Sequence, residues 1–350
     1  MKWLAGGALV VVVALLAIPA ASLYYAAFGG DACARCHEIQ PSVDLWRAST
    51  HRSTACTACH TSGQLTNARR VATHARGEVP EQIRLSLADV ERMMERCRSC
   101  HRQEFADWQA GPHSVTYSTI FLDETHNRRR LLIDDCLRCH GMYFQGSIRD
   151  LVAPIDTRGP WRLVDPALAN RPAIPCLACH AMHREGSPLQ RPSQKPVNPG
   201  PGQELFRPSL ALFDRREFSH FLAPRLPMPQ IREGARLVKM SPDSRQALCY
   251  QCHAPWTDSQ VGSGDDRTGV GVHEGISCLA CHQKHRQTTR ASCSTCHPRL
   301  SNCGLDVEKM DTTFVATTSR HNIHFVKCVD CHPKGVPPGE RHPRNLCDSN

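Results

Sequence analysis

The pattern most able to do chemistry in this chain is Cys-x-x-Cys-His, which occurs nine times. Residues three and four apart share one face of a helical turn, so the two thiols can form thioether bonds to one porphyrin. The adjacent His then projects under the ring and ligates the iron. The pattern therefore predicts nine covalently attached haem c groups. We number the motifs 1 to 9 in chain order: residues 33–37, 56–60, 97–101, 136–140, 176–180, 249–253, 278–282, 293–297 and 328–332.

The motifs use 18 of the 20 cysteines. The predicted thioether residues are Cys33, Cys36, Cys56, Cys59, Cys97, Cys100, Cys136, Cys139, Cys176, Cys179, Cys249, Cys252, Cys278, Cys281, Cys293, Cys296, Cys328 and Cys331. The predicted proximal iron ligands are His37, His60, His101, His140, His180, His253, His282, His297 and His332.

Zinc binding and plain disulfides are the alternatives to haem attachment. Structural zinc needs four ligands from paired motifs, and nine identical three-ligand units pair poorly. Disulfides alone would not require a His directly after every second Cys. With this chain's own Cys and His frequencies, chance gives about 0.06 such motifs. The count therefore favours haem.

The chain also has eleven histidines outside the motifs, more than the nine sixth coordination positions to be filled. We expect most of them to be distal ligands. Two bound imidazoles leave an iron no position for substrate, which favours electron transfer over catalysis. The predicted distal ligands are His51, His113, His183, His273, His285, His321 and His324, and further candidates are His74, His126, His220 and His342. Methionine is the alternative ligand type, and Met142 and Met182 lie near motifs.

The composition predicts a mostly α fold with extensive irregular structure, packed around the haems. Pro at 25 and Gly at 22 indicate many turns and few long elements, and we expect no long strands.

The net charge of +9 would otherwise indicate a nucleic-acid partner. Nine haems bring about 18 propionate charges and about nine ferric centres, so the total becomes about zero. The Lys and Arg excess then balances propionates, and no nucleic-acid partner is predicted.

Residues 1–28 are predicted to be a transmembrane anchor. Trp3 to Phe28 carries no charge, and its 26 residues exceed the roughly 20 that a bilayer requires. Lys2 on the near side predicts that the haem region lies outside the cytoplasm, in the periplasm, with the anchor in the inner membrane. The alternative is a signal peptide cleaved near Ala21 or Ala27.

The remaining chain divides into a five-haem region at 29–183, a haem-free segment at 184–248 and a four-haem region at 249–350. Ten prolines predict that the middle segment is a linker or an extended strap. The clearest helix is predicted from Pro80 to Cys97, with Ile83, Leu87, Val90, Met94 and Cys97 on one face. Cys303 and Cys347 belong to no motif, and form either a disulfide or two free thiols.

Two internal repeats indicate growth by duplication. Trp46 precedes His51 by five residues, and Trp108 precedes His113 by the same spacing. The second repeat relates residues 174–184 to residues 276–286.

The stretch from Cys33 to His60, directly after the apolar segment, resembles the NapC/NirT family. Those proteins are membrane-anchored quinol dehydrogenases that pass electrons to periplasmic reductases. The resemblance covers about residues 1–115 and implies membrane quinol as the donor and a periplasmic or outer-membrane redox protein as the acceptor. Ile39 departs from that family, which often has Met at this position. Residues 273–282 are similar to larger multihaem cytochromes, including nitrite reductase and hydroxylamine oxidoreductase relatives.

Together these features predict a nonahaem cytochrome that carries electrons from membrane quinol to an external partner. The alternative is a multihaem oxidoreductase that acts on a small nitrogen or sulfur compound at one open haem. Many nitrite reductases have Lys in place of the motif His at the active haem, whereas all nine motifs here end in His. A third alternative is a subunit of a conducting filament.

Overall fold

The structure is a computed structural model, and it describes residues 2–35, 39–60, 64–78, 85–129, 131–180, 182, 213–214, 219–220, 228, 231–253, 268, 273–285, 296 and 324. Its helices are α1 (Lys2–Cys33), α2 (Gln40–Ala48), α3 (Cys56–Cys59), α4 (Gln64–Ala75), α5 (Leu87–Cys100), α6 (Arg102–Ala110), α7 (Tyr117–Phe121), α8 (Glu124–Asn127), α9 (Ile148–Leu151), α10 (Gln246–Cys249) and α11 (Cys278–Cys281). Short 3-10 turns cover Pro112–Ser114, Asp134–Arg138, Pro166–Leu168 and Cys176–Ala178.

The described strands are all two residues long. They are β1 (Val152–Ala153), β2 (Arg162–Leu163), β3 (Phe213–Asp214), β4 (Ser219–His220), β5 (Arg232–Glu233) and β6 (Arg236–Leu237). Consecutive strands pair antiparallel, with registers Val152↔Leu163, Phe213↔His220 and Arg232↔Leu237. Gly234, at φ +59°, supplies the left-handed residue of the two-residue β5–β6 turn.

Helix α5 begins at Leu87 because Ser86 caps it. The Ser86 hydroxyl accepts the Asp89 backbone N–H at 3.2 Å, and the Asp89 carboxylate accepts the Ser86 N–H at 3.0 Å. This capping box satisfies backbone donors that the first turn leaves without partners. The predicted start at Pro80 is therefore wrong, and the helix continues to Cys100. Val90 and Met94 are buried, which confirms that part of the predicted face, while Ile83 lies outside the described residues.

Two adjoining clusters of buried hydrophobic residues lie between residues 85 and 180. The larger is centred on Tyr117, Phe121, Ile148 and Leu151, and the smaller contains Val90, Met94, Met142, Tyr143 and Leu177. Met142, a candidate ligand by sequence, therefore packs as a core residue. The motif 4 residue Leu137 belongs to the first cluster, so this cluster supports the predicted haem-binding turn.

The predicted anchor lies within α1, where Leu9, Val10, Leu15 and Leu16 are exposed. Over the part of the chain that the structure describes, no helix combines the length and the apolar character needed to cross a membrane. Helix α1 contacts α3 and α4, so it lies beside motif 2.

Within the predicted haem-free segment, residues 231–248 are folded and end in α10. The Glu274 carboxylate, which is buried, accepts the Arg236 Nη1–H at 2.6 Å and the Lys239 backbone N–H at 3.1 Å. The β5–β6 hairpin is thereby held against the turn that precedes motif 7. Residues 183–212, Cys303 and Cys347 lie outside the described residues.

Candidate haem sites

The six motifs that the structure describes in full, motifs 2 to 7, share one backbone turn. In each, the backbone N–H of the motif His donates to the carbonyl oxygen of the first Cys, at 2.8 to 3.0 Å. This bond closes one helical turn over the five residues, which places both cysteines on one side and carries the imidazole past them. The turn is the same whether it ends a long helix, as in α5, or stands alone, as in α3 and α11.

The other three motifs are described only in part. Cys33 ends α1, and Cys296 lies in a turn. Cys36, His37, Cys293, His297, Cys328, Cys331 and His332 lie outside the described residues.

Four motif histidines each lie opposite a histidine from outside the motifs. The ring centroids are 6.0 Å apart in His101–His51, 6.0 Å in His253–His113, 6.0 Å in His180–His285 and 5.9 Å in His282–His324. A ligating imidazole nitrogen lies about 2 Å from its metal, and the ring centre lies beyond that nitrogen. Two imidazoles on either side of one iron therefore have ring centres about 6 Å apart. The residues present therefore fit a haem iron held between two imidazoles.

Burial favours the neutral imidazole of His113 and His180 in these pairs and of His140 in motif 4. It lowers the pKa of His113 and of His180, and the nearby His253 and His285 respectively lower them further. Burial also lowers the pKa of His140 to about 4, with His126 the next contributor. A neutral imidazole keeps the lone pair that a metal requires, so burial prepares these side chains to be ligands at neutral pH.

The remaining predicted distal ligands have varied positions. His273 lies in the turn before motif 7, while His183 and His321 lie outside the described residues. His126 lies near His140, whose buried Nδ1 has no hydrogen-bond partner. Among the further candidates, His74 is exposed on α4, His220 lies in β4 and His342 lies outside the described residues. No group of three or more His, Cys, Asp or Glu residues in the described ranges is arranged to hold a bare metal ion.

The motif cysteines also show which motifs are neighbours. The Cys139 and Cys252 thiols are in hydrogen-bonding contact, which lowers the pKa of Cys139 to about 7 and raises that of Cys252. A contact of the same kind between Cys249 and Cys278 lowers the pKa of Cys249 and raises that of Cys278. Motif 6 therefore touches both motif 4 and motif 7.

A second set of contacts continues toward the N-terminus. Burial, together with the nearby Cys176 and Cys59, raises the pKa of Cys97 to about 11. Cys179 in turn lies close enough to Cys249 to influence the pKa of that thiol. Helix α3 of motif 2 contacts α5, which ends in motif 3, and α5 contacts the 3-10 turn of motif 5. Motifs 2, 3, 5 and 6 are thus successive neighbours, with motifs 4 and 7 both against motif 6.

Tyr143 ties motif 4 to motif 5. Its hydroxyl donates to the Leu177 carbonyl, between the two cysteines of motif 5, at 3.0 Å. Burial raises the pKa of Tyr143, so the hydroxyl stays protonated and remains a donor.

The Trp-x4-His repeat seen in the sequence is also a structural repeat. The Trp46 indole N–H donates to the Thr54 carbonyl at 3.1 Å, and the Trp108 indole N–H donates to the Ile174 carbonyl at 3.2 Å. Each acceptor lies two residues before the first Cys of a motif. In each repeat the Trp bonds to the segment before one motif, and the His faces the next motif along the chain. Trp46 holds motif 2 while His51 faces motif 3. Trp108 holds motif 5 while His113 faces motif 6.

Motif 7 is held by polar contacts that the sequence analysis did not identify. The Ser277 hydroxyl donates to Asp243 Oδ2 at 2.7 Å, and the Cys278 backbone N–H donates to Gln246 Oε1 at 3.3 Å. Hydrogen bonds to Arg245 and Ser277 hold the pKa of Asp243 well below its usual range. Partners more than 30 residues apart leave no local signal in a sequence.

A family model described as cytochrome c554 and c-prime matches residues 96–150 and 226–283. The chain is a multihaem c-type cytochrome. The matched stretches contain motifs 3, 4, 6 and 7 and make up about a third of the chain. They meet in space, because the His113–His253 pair and the Cys139–Cys252 contact each join one stretch to the other. Membership of this class implies that the cytochrome binds haem c covalently and takes part in electron transfer. Comparison with curated proteins and with solved structures gave no match.

Proposed function

We propose that this cytochrome is a nonahaem conduit that carries electrons from membrane quinol to a periplasmic or outer-membrane redox protein. The observation that carries the proposal is the set of four histidine pairs, each joining a motif His to one outside the motifs at 5.9 or 6.0 Å. When bound, haem iron takes up and releases one electron at a time. An iron with two imidazole ligands offers no position for substrate, so such sites transfer electrons.

The arrangement of the motifs supports transfer along the protein. Cysteine sulfurs attach to the porphyrin edge, so a contact between Cys139 and Cys252 brings two porphyrin edges together. The Cys249–Cys278 contact does the same for motifs 6 and 7. Electron tunnelling weakens steeply with distance, and edges in contact favour it. We therefore propose the route 2–3–5–6, with motifs 4 and 7 as two branches from motif 6.

The protein's own groups hold each site in its ligating form. Burial keeps His113, His140 and His180 neutral. The indole bonds of Trp46 and Trp108 fix the segments that lead into motifs 2 and 5. Rigid ligand placement of this kind is how a protein orients and tunes a cofactor that supplies the chemistry.

The quinol end is proposed at the N-terminus. Cys33 of motif 1 ends α1, and α1 contacts α3, which contains motif 2. If the uncharged segment from Trp3 to Phe28 anchors the chain, these two motifs lie nearest to a donor dissolved in the membrane. The resemblance of residues 1–115 to quinol dehydrogenases supports the same end, and the acceptor would then dock beyond motif 7.

The test uses the full-length protein purified in detergent. Its mass should exceed that of the polypeptide by nine haems, its resting spectrum should be entirely low-spin, and a quinol analogue should reduce it. A high-spin signal in the resting protein would favour the open-haem oxidoreductase. Failure of the quinol analogue, when dithionite still reduces the haems, would remove the quinol step and leave electron transfer standing.

The route is tested separately by removing one haem. Replacing Cys249 and Cys252 with Ala should give a protein lighter by one haem, in which electrons supplied at the N-terminal haems reach motif 7 slowly. The matched control is the same double change at Cys136 and Cys139, because motif 4 lies on a branch. Equal rates in the two variants would contradict the route.

A further inference from the structure

Arg138 is a buried charge between two haem-binding turns. It lies inside motif 4 and is 6% exposed. Its Nη1 donates to the Gln251 carbonyl, which lies inside motif 6, at 2.5 Å. Its Nε lies 3.4 Å from Asp135 Oδ1. One guanidinium thus joins the two motifs whose cysteines, Cys139 and Cys252, are already in contact.

The chain contains a matched Arg that is not buried. Arg98 lies inside motif 3 and pairs with Glu95 three residues earlier, just as Arg138 pairs with Asp135. The Arg98 side chain is 57% exposed, against 7% for Arg138. Water screens the first charge, whereas the second acts in a medium of low dielectric constant.

Burying a guanidinium is costly unless hydrogen bonds and an ion pair offset the loss of water. Asp135 and the Gln251 carbonyl contribute to that compensation. Asp135 lies at the Nε of the guanidinium, whereas Nη1 reaches the motif 6 turn. The positive charge therefore extends from motif 4 to motif 6.

We propose that Arg138 raises the reduction potentials of the haems at motifs 4 and 6, so that electrons moving along the route collect at this junction. The proposal rests on the proposed function, because it requires haems at both motifs. Reduction removes one positive charge from an iron centre, and a fixed guanidinium nearby favours the reduced form. A potential raised at motif 6 makes transfer from motifs 2, 3 and 5 toward the junction downhill.

The test is a spectroelectrochemical titration of the purified holoprotein and four variants. R138Q removes the charge and should lower two midpoint potentials, whereas R138K keeps the charge and should leave them near the wild-type values. D135N removes the opposing charge and should raise the same two potentials. R98Q, the exposed control in motif 3, should leave all potentials unchanged.

The opposite signs separate an electrostatic role from a structural one. If R138Q and D135N shift the two potentials in the same direction, or if R138Q shifts none, the proposal is overturned. An equal shift in R98Q would overturn it too, since surface charge would then explain the effect. If R138Q does not fold, the other two variants test the proposal. D135N should raise the two potentials and R138K should leave them near the wild-type values, and unshifted potentials in D135N would overturn the proposal.

Failure of the proposed function gives a different result. The haem mass and the low-spin spectrum of each variant show whether motifs 4 and 6 carry ligated haems. Missing haem at either motif in the wild-type protein would contradict the conduit itself. Normal haem content with unshifted potentials would contradict only the role of Arg138.

Discussion

The indole N–H of Trp108 donates to the carbonyl oxygen of Ile174, far along the chain, at 3.2 Å. This bond joins α6 to the segment that enters motif 5, while His113, five residues after the Trp, faces His253 of motif 6. The end of α6 and the 3-10 turn after it therefore set the positions of two neighbouring candidate haem sites. Trp46 and His51 do the same for motifs 2 and 3.

Replacing Trp108 with Phe should keep the aromatic packing and remove the indole bond. We expect a loss of about 1 kcal/mol in the free energy of unfolding, together with a changed low-spin signal from motif 5. Chemical denaturation and electron paramagnetic resonance measure the two effects. Trp161→Phe is the control, because its indole bonds to Asp156 within a local loop. It should lose similar stability without altering any haem signal, and equal spectral changes in both variants would contradict the role of Trp108.

His113→Ala should open the sixth position at motif 6. An open sixth position on ferrous haem binds carbon monoxide, so the measurement is carbon monoxide uptake by the reduced protein. We expect binding of about one equivalent. His113→Met should remain six-coordinate with a raised potential, because thioether ligation favours ferrous iron. An Ala variant that binds no carbon monoxide would show that His113 is not the ligand.

Asp89→Asn should weaken the cap of α5, the helix that ends in motif 3. The Ser86 hydroxyl lowers the pKa of Asp89 by hydrogen bonding, so the carboxylate stabilises the folded state above the pKa it has when unfolded. We expect the variant to be less stable by about 1 kcal/mol at neutral pH. As pH falls from about 4, the unfolded value, through the lowered pKa of folded Asp89, the carboxylate becomes protonated and the difference should shrink.

Denaturation at several pH values measures this dependence. Glu95→Gln is the control, since its exposed pairing with Arg98 contributes little at any pH. A stability difference for Asp89→Asn that persists unchanged at pH 2 would contradict the capping explanation.

Glu274→Gln should release the β5–β6 hairpin from the turn before motif 7. The buried carboxylate accepts from Arg236 and from the Lys239 backbone, and hydrogen bonds to charged groups contribute about 1.5–3 kcal/mol. Hydrogen exchange should rise at residues 231–239, and the free energy of unfolding should fall. Arg158→Gln, whose side chain is 88% exposed beside Asp156, should change neither. Unaltered exchange in the Glu274 variant would show that the carboxylate does not hold the hairpin.

The sequence predicted the members of the histidine pairs but not which motif each would face. His51 lies five residues before motif 2 yet faces His101 of motif 3, and His285 follows motif 7 yet faces His180 of motif 5. A distal ligand must approach from the porphyrin face opposite the proximal imidazole. A residue only a few positions from a motif stays on the same side as that motif's own His, so nearness in sequence is misleading here.

Other features depended on packing that no local pattern encodes. Arg98 and Arg138 have the same sequence setting, an Arg inside a motif with a carboxylate three residues earlier, and only tertiary contacts bury the second. The start of α5 was missed for a local reason, because the capping box at Ser86 outweighs the longer apolar periodicity that began at Pro80.

The histidine pairs also bear on how the molecule is made. His113 and His253, like His180 and His285, come from parts of the polypeptide that emerge from synthesis at different times. In the proposed conduit, an iron attached early would have to wait for its second ligand until a much later segment arrives. Each iron would then tie two distant segments together, and the final shape of the chain would be inseparable from the loading of its metal.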